Sequence, residues 1–194
     1  MKRLTSPLSK EDARSLKLGE MVYLDGTVIT GRDKMHLRAL RYHRDRIETS
    51  EQLSGASIFH CGPIMIQDGL GWKVIALGPT TSARMDSLEP EMIRNFSIRA
   101  IIGKGGMSAA TLQAMQEEGC VYLAATGGAA VSLSEGVKNV RGQEWEDLGM
   151  AECIWIMDVE KLGPFIVAMD AHGGSLYDKV NAQVAENVKK MLDD

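Results

Sequence analysis

Ala100-Ile101-Ile102-Gly103-Lys104-Gly105-Gly106 decides the fold. A short apolar run ends in a glycine turn, and helix-forming residues follow, the pattern of a buried strand handing over to a helix. The theme recurs at Val74–Leu77 with Gly78-Pro79-Thr80-Thr81, and at Val121–Ala124 with Thr126-Gly127-Gly128. Upstream, Ala56–Cys61 reads as a buried strand and Trp72–Leu77 as another, reached through Gly69-Leu70-Gly71. Downstream, residues 153–158 and 165–169 read as two more strands. A terminal helix over about 176–192 follows from the four-residue step of Leu176, Val180, Val184, Val188 and Leu192. Near the N-terminus, Ser9-Lys10-Glu11-Asp12 has the form of a helix cap. Met21–Leu24 and Thr27–Thr30 flank Asp25-Gly26, a hairpin signal. Residues 34–47 read as a helix with Leu37, Leu40 and Ile47 apolar and Lys34, Arg38 and Arg41 on another face. The whole predicts a single α/β domain over residues 1–194, with mixed strands and flanking helices.

Composition sets the outer limits. The 194 residues are 44% hydrophobic, 25% charged and 5% aromatic, which excludes a disordered or fibrous chain. The net charge of −4 argues against a dedicated nucleic-acid binder. Residues 1–50 nevertheless carry a charge of +4 and the remainder −8, so a basic segment is available to an anionic ligand or an acidic partner. No apolar run reaches the roughly 18 residues of a membrane helix. The stretch Met1–Leu16 lacks the apolar core of a secretory signal. Cys61, Cys120 and Cys153 are sparse and odd in number, which fits a reducing compartment. A cytoplasmic protein with no membrane contact is expected.

Four segments bring positive charge, hydroxyls and flexible backbone together. They are Gly31-Arg32-Asp33-Lys34-Met35-His36, Gly78-Pro79-Thr80-Thr81-Ser82-Ala83-Arg84-Met85, Gly103-Lys104-Gly105-Gly106 and Thr126-Gly127-Gly128-Ala129-Ala130. Glycine lets a ligand approach the backbone. A loop entering a helix offers free N–H groups and the positive end of the dipole. Arginine matches a carboxylate with two parallel hydrogen bonds. Two arginines, a lysine and a threonine pair thus suffice to hold a small dianion at both ends. Each piece alone has a plainer reading. A glycine turn also serves as a mere connection, Arg84 as a surface ion-pair partner, and the threonines as a helix cap. The joint occurrence carries the argument.

Other signals fail. Ile98 stands where a phosphate-binding P-loop needs its first glycine. His36 and His43 are seven apart, against the three or four that places two metal ligands on adjacent helical turns. His60 beside Cys61 reads as strand packing. The cysteine spacings of 59 and 33 hold no Cys-x-x-Cys, so an iron–sulfur site built from this chain alone is disfavoured. No metal ligand is assigned.

The ordered set Gly31-Arg32-Asp33 with His36, Cys61-Gly62-Pro63, Gly78-Pro79-Thr80-Thr81-Ser82-Ala83-Arg84-Met85, Gly103-Lys104-Gly105-Gly106-Met107 and Gly127-Gly128-Ala129-Ala130 resembles the β subunit of iron–sulfur-dependent fumarate hydratases and L(+)-tartrate dehydratases. The likeness extends over almost the whole chain, through the Trp145–Trp155 region to Asp170 with Gly173-Gly174-Ser175. The resemblance implies a swivelling β/β/α domain. It also implies a [4Fe–4S] cluster held by a separate α subunit, a heterotetramer of two α and two β subunits, and a site shared between them. By motif, Arg32, Arg84 and Lys104 would clamp substrate carboxylates, Gly103 and Gly105 would offer backbone N–H groups, and Thr81 would contact substrate. Thr80 would be the base, with Lys104 helping to activate it, while Asp33 would orient Arg32 or His36 from behind. Reversible hydration of fumarate to L-malate is the leading expectation. Tartrate dehydration and a non-catalytic small-anion module remain open alternatives. A basic-helix nucleic-acid module on residues 34–46 is the weakest, given the acidic chain.

Overall fold

The computed structural model describes residues 1–193. In chain order the elements are β1 (Lys2–Ser6), α1 (Lys10–Ser15), β2 (Met21–Thr30), α2 (Asp33–Arg44), β3 (Ser57–Phe59), β4 (Cys61–Asp68), β5 (Gly71–Pro79), α3 (Glu89–Phe96), β6 (Ala100–Gly103), α4 (Ala109–Glu118), β7 (Val121–Ala124), α5 (Ala130–Ser134), β8 (Val137–Glu144), β9 (Ile154–Met169) and α6 (Leu176–Asp193). Short 3-10 turns occupy Glu51–Leu53, Ser82–Met85 and Glu146–Leu148. The fold is mixed α/β, as the sequence predicts.

The strand order is β1-β2-β3-β6-β7-β9-β8, and β2 also pairs with β9. Strands β2, β3, β6, β7 and β9 therefore close into a ring, with β1 and β8 as appended edges. The β2–β3, β3–β6 and β6–β7 pairs are parallel, and β9 runs antiparallel to β2, β7 and β8. Parallel neighbours need crossovers, and α2 and α4 supply two of them.

Period-two alternation sorts the strand residues into two cores. Val28, Phe59, Ala100, Ile102, Val121 and Leu123 share one with Trp155, Met157, Phe165 and Val167. Their neighbours in sequence, Ile29, Ile58, Ile101, Tyr122, Ile154 and Ile156, share the other with Met35, Leu40, Met92, Ile93, Phe96 and Met115 of the helices. Burying each large apolar side chain stabilises by roughly 1.5–3 kcal/mol. The β4–β5 hairpin sends Met65 and Leu77 into the first core, and Trp72 meets Trp155 edge to face at 5.1 Å.

Several expectations are corrected. Asp25-Gly26 does not turn a hairpin, because β2 runs unbroken through it. Gly26 has φ +88°, β1 passes so close that a Cβ there would strike the Ser6 carbonyl, and the β2–β9 register shifts between Leu24 and Gly26. The Asp-Gly signal marks a bulge. The two strands foreseen at 153–158 and 165–169 are the halves of the single strand β9. Its first half pairs with β8 and its second with β7, while β2 runs along both. The helix foreseen at 34–47 stops at Arg44 and buries Met35, His36, Ala39 and Leu40, leaving Leu37 and Ile47 exposed. The strand foreseen at Ala56–Cys61 is only Ser57–Phe59. Strands β1, β4 and β8 were not legible, since each is polar or exposed along much of its length. The cap at Ser9 is present: its hydroxyl accepts from the Asp12 amide at 2.9 Å, and the Asp12 carboxylate accepts from the Ser9 amide. The α6 stripe is helical, but Val180, Val184 and Val188 are exposed. Among the described residues, no helix is long and apolar enough to cross a membrane.

Candidate functional site

Parallel register decides what meets at one rim of the ring. Thr30 lies opposite Phe59, Phe59 opposite Ile102, and Gly103 opposite Ala124. Gly31-Arg32, His60, Lys104 and Ala125 therefore leave the carboxyl ends of neighbouring strands together, where open α/β sheets place their ligands. The loop after β5 is stitched onto this rim. The Thr80 amide donates to the His60 carbonyl at 2.7 Å, the Lys104 amide to the Thr80 carbonyl at 3.2 Å, and the Ser82 amide to the Lys104 carbonyl at 2.9 Å. Thr81 and Lys104 thereby pair as a parallel bridge. Gly105 and Gly106, at φ +84° and +70°, carry the chain away from Lys104 in the left-handed region that favours glycine.

Arg32, Thr80, Thr81, Arg84, Lys104 and Gly105 are thus brought to one rim, whereas Gly103 and His36 are buried beneath it. Each arginine has an acidic partner. Arg84 Nη2 meets Asp33 Oδ2 at 2.9 Å with its side chain half exposed. Arg32 Nη2 lies 3.4 Å from Glu152 Oε1, while Glu152 Oε2 accepts from the Lys34 amide at 2.9 Å. Glu152 therefore stands at the α2 N-terminus, where the dipole favours a carboxylate. Asp33 was expected to orient Arg32 or His36, but it holds Arg84 instead. The residue on Arg32 is Glu152, distant in sequence and invisible to motif reading. The rim is an open face. A cavity of about 440 Å³ lined by Trp72, Val74 and Val137 involves none of its residues.

Beneath the rim lies a buried polar cluster that the sequence analysis missed. His36 Nε2 is 3.0 Å and His60 Nε2 3.3 Å from Glu89 Oε2, all three side chains being wholly inaccessible. His60 Nδ1 meets Ser82 Oγ at 2.9 Å, and the Tyr122 hydroxyl donates to the same oxygen at 2.9 Å. His36 Nδ1 donates to the Arg32 carbonyl at 2.8 Å. The available signal was topological. His36 lies one turn into the helix after β2 and His60 just past β3, and these strands are parallel neighbours. His43, considered as a partner for His36, instead packs against Phe96 at 5.6 Å.

Burial works against the Glu89 charge, but His36 and His60 outweigh it and hold the carboxyl down at about 2. Burial also opposes a charged His36, yet the Glu89 carboxylate, the Arg32 carbonyl and Asp33 leave its pKa raised. For His60 burial wins, reinforced by His36, and its pKa is lowered. The signs give a prediction. The Glu89 contribution is complete above its ordinary value of 4.5 and is lost as the pH falls toward about 2. His60 contributes above 6.5 and loses its share as the pH falls through its lowered value, whereas His36 contributes below 6.5 and loses its share as the pH rises through its raised one. The melting temperature should fall steeply below pH 4.5, and Glu89→Gln should flatten that acid limb. Thermal unfolding across pH measures both, and identical acid limbs would dissociate Glu89 from the effect.

Cys61 and Cys153 belong to one core and Cys120 to the other, so the three thiols do not converge on a shared ligand. Burial raises all three thiols, that of Cys153 to about 11, which leaves them protonated near neutrality. Among the described residues, the one group of three His, Cys, Asp or Glu side chains close enough to share an ion is His36, His60 and Glu89.

The molecule is thus an α/β domain whose closed strand ring carries a cationic, hydroxyl-bearing rim of glycine loops. The chain belongs to the family described as Fumarase C-terminus, whose model matches residues 2–180. It is 41% identical over 186 residues to a putative L(+)-tartrate dehydratase subunit beta of Methanocaldococcus jannaschii, covering 95% of each chain. It is 36% identical over 188 residues to the L(+)-tartrate dehydratase subunit beta of Escherichia coli K12, covering 97% of this chain and 89% of the relative. It is also 38% identical to a putative fumarate hydratase class I of Geobacillus stearothermophilus, covering 96% of this chain but only 35% of that longer protein. A role as a hydro-lyase β subunit follows from this kinship.

Proposed function

We propose that this chain supplies the carboxylate-binding and proton-transfer groups of a hydro-lyase that hydrates fumarate reversibly to L-malate, in a site completed by an α subunit. The observation that carries this reading is the convergence of Arg32, Arg84, Lys104, Thr80 and Thr81 on one open rim. Loss of a proton next to a carboxylate builds negative charge on that carboxylate, and fixed cations must stabilise it. Arg32, Arg84 and Lys104 take that task, with Gly103 and Gly105 lining the loop and Thr81 contacting substrate. Thr80 takes the proton. Its hydroxyl is a weak base, so a carboxylate of the α subunit must draw its own proton away, with the Lys104 ammonium stabilising the alkoxide that results. Asp33 and Glu152 hold the arginine forks in place.

In this reading, as the family resemblance implies, the [4Fe–4S] cluster sits on the α subunit. Bound there, it supplies Lewis acidity toward the departing hydroxyl. A cytoplasmic heterotetramer of two α and two β subunits, free of nucleic acid and membrane, is the proposed assembly. The experiment is anaerobic reconstitution with a candidate α subunit and assay of malate–fumarate interconversion. The pair should be active and this chain alone inactive. Activity of the isolated chain, or none from any reconstituted pair, overturns the reading.

A second reading has its own support. The relatives that this chain matches over nearly their whole length are named for L(+)-tartrate, whereas the fumarate hydratase relative is a much longer chain. The substrates differ by one hydroxyl, and kcat/KM measured side by side for malate and L(+)-tartrate decides between them.

A further inference from the structure

We infer that Tyr122, Ser82, His60, Glu89 and His36 form a proton-ordered strut that locks the loops of Arg32, Thr80–Thr81 and Lys104 into one arrangement. In this role they are positioning residues, and the inference rests on the reading of those loops as the substrate-binding surface.

The proton inventory fixes the order. A carbonyl only accepts, so His36 must carry a hydrogen on Nδ1 to meet the Arg32 oxygen at 2.8 Å. A bare Nε2 would then set its lone pair against a carboxylate oxygen at 3.0 Å in a site closed to solvent. A second proton on Nε2 removes that conflict, so His36 is an imidazolium. His60 Nε2 faces the same carboxylate at 3.3 Å, so a hydrogen belongs there too, and beside a charged His36 a second cation is disfavoured; His60 Nδ1 is therefore bare and accepts from the Ser82 hydroxyl. His60 is then neutral, with its hydrogen on Nε2 facing Glu89. One cation and one anion remain, and the buried cluster is neutral overall. The raised His36 and lowered Glu89 and His60 agree with this assignment. Asp33 on α2 is the other charge acting on the two histidines.

The strut begins and ends on the rim loops. His36 grips the backbone of Arg32 itself. Ser82 follows Thr81, and its amide donates to the Lys104 carbonyl. Tyr122 and His60 flank Gly103, immediately before Lys104: a Cβ there would come within 3.1 Å of the tyrosine hydroxyl and 3.4 Å of His60 Cβ. The strut therefore joins from below three loops that are distant in sequence and that meet at the surface through two Thr80–Ser82 to Lys104 backbone bonds and the Arg84–Asp33 ion pair.

The test uses the full chain, with nitrogen-15 in the histidine rings. At pH 7, His36 should show both ring nitrogens protonated and His60 a single proton on Nε2. A neutral His36, or stoichiometric transition metal with metal-shifted ring nitrogens, overturns the inference. Hydrogen exchange then reads the locking. Glu89→Gln and, in case that variant does not fold, Ser82→Ala should each speed exchange at residues 31–36, 80–84 and 104–106 about tenfold or more beyond whatever acceleration the ring strands show. Loop acceleration no greater than that of the ring strands overturns it, because a merely stabilising cluster would act on both alike. In the reconstituted pair the same variants should raise the KM for malate more than they lower kcat. A wild-type pair without hydro-lyase activity, but with the stated ring protonation and local exchange, defeats the functional proposal and leaves the strut standing.

Discussion

In the reconstituted hydro-lyase, Lys104→Ala should lower kcat/KM about 100-fold or more, the scale of losing one fixed charge aimed at a developing anion. The rim geometry explains the size. The Lys104 backbone is fastened on both sides to the Thr80–Ser82 loop, so the position is fixed although the side chain sits in a glycine turn. Among the described residues, the Lys104 ammonium makes no ion pair, whereas Arg32 is paired with Glu152 and Arg84 with Asp33. Lys104 is thus a cation with no internal claim on it. Arg84→Ala should produce a loss of the same order, with one difference. Removing Arg84 also frees the Asp33 carboxylate at the rim, so Arg84→Ala with Asp33→Asn should recover part of the loss. Lys104→Ala has no such neutralising partner. Fold stability should change little in Lys104→Ala, because among the described residues its ammonium makes no ion pair within the chain. Steady-state rates and melting curves for the three variants check this, and a near-normal rate for Lys104→Ala would take that residue out of the site.

How much of this was legible from the chain depends on distance along it. The glycine-ended apolar runs at Ala100–Gly106 and Val121–Gly128 are local patterns, and the strands and loops appear where those patterns fall. Gathering the rim residues needed the parallel register of β2, β3, β6 and β7, and motif order stood in for it. What failed were readings in which a local signal had a tertiary cause. Asp25-Gly26 carries a turn signature because β1 crowds the glycine, and the chain bulges instead of turning. Lys161 and Gly163 break the apolar pattern of residues 153–169, yet β2 pairs along both halves and holds one continuous strand. His60 read as packing because its partners lie 24 residues before it, 29 after it and farther still. A buried charge network leaves no periodic trace, since its members need only meet in space.

Gly103 concentrates that lesson in one position, and Gly103→Ala should be the most destabilising single-methyl change at the rim. The residue lies in buried strand β6 with an ordinary negative φ, so backbone strain is not the issue. The issue is volume. An alanine Cβ would overlap Ser82 Oγ and press on the Tyr122 hydroxyl at 3.1 Å. Relieving the overlap means turning the serine away, which strips His60 Nδ1 of its donor and Tyr122 of its acceptor. Overpacking costs about 1–3 kcal/mol, and each buried polar group left without a partner adds about 1–3 kcal/mol. The expected loss is at least about 3 kcal/mol, a large share of the roughly 5–15 kcal/mol that holds such a domain together. At this chain length the melting temperature should drop by about 10 °C. Gly105→Ala is the internal comparison, for it is strained by φ +84° but meets only Thr81 Cγ2 at 3.4 Å. Its loss should stay near 1–2 kcal/mol, the ordinary penalty for a side chain in that conformation. The pair Gly103→Ala with Ser82→Ala separates volume from hydrogen bonding. Removing the hydroxyl makes room for the methyl, so the double variant should be more stable than the sum of the two single losses allows, by about 1 kcal/mol or more. Additive losses would mean that Gly103 is kept small by something other than Ser82, and the steric link between the strut and the Lys104 loop would have to be given up.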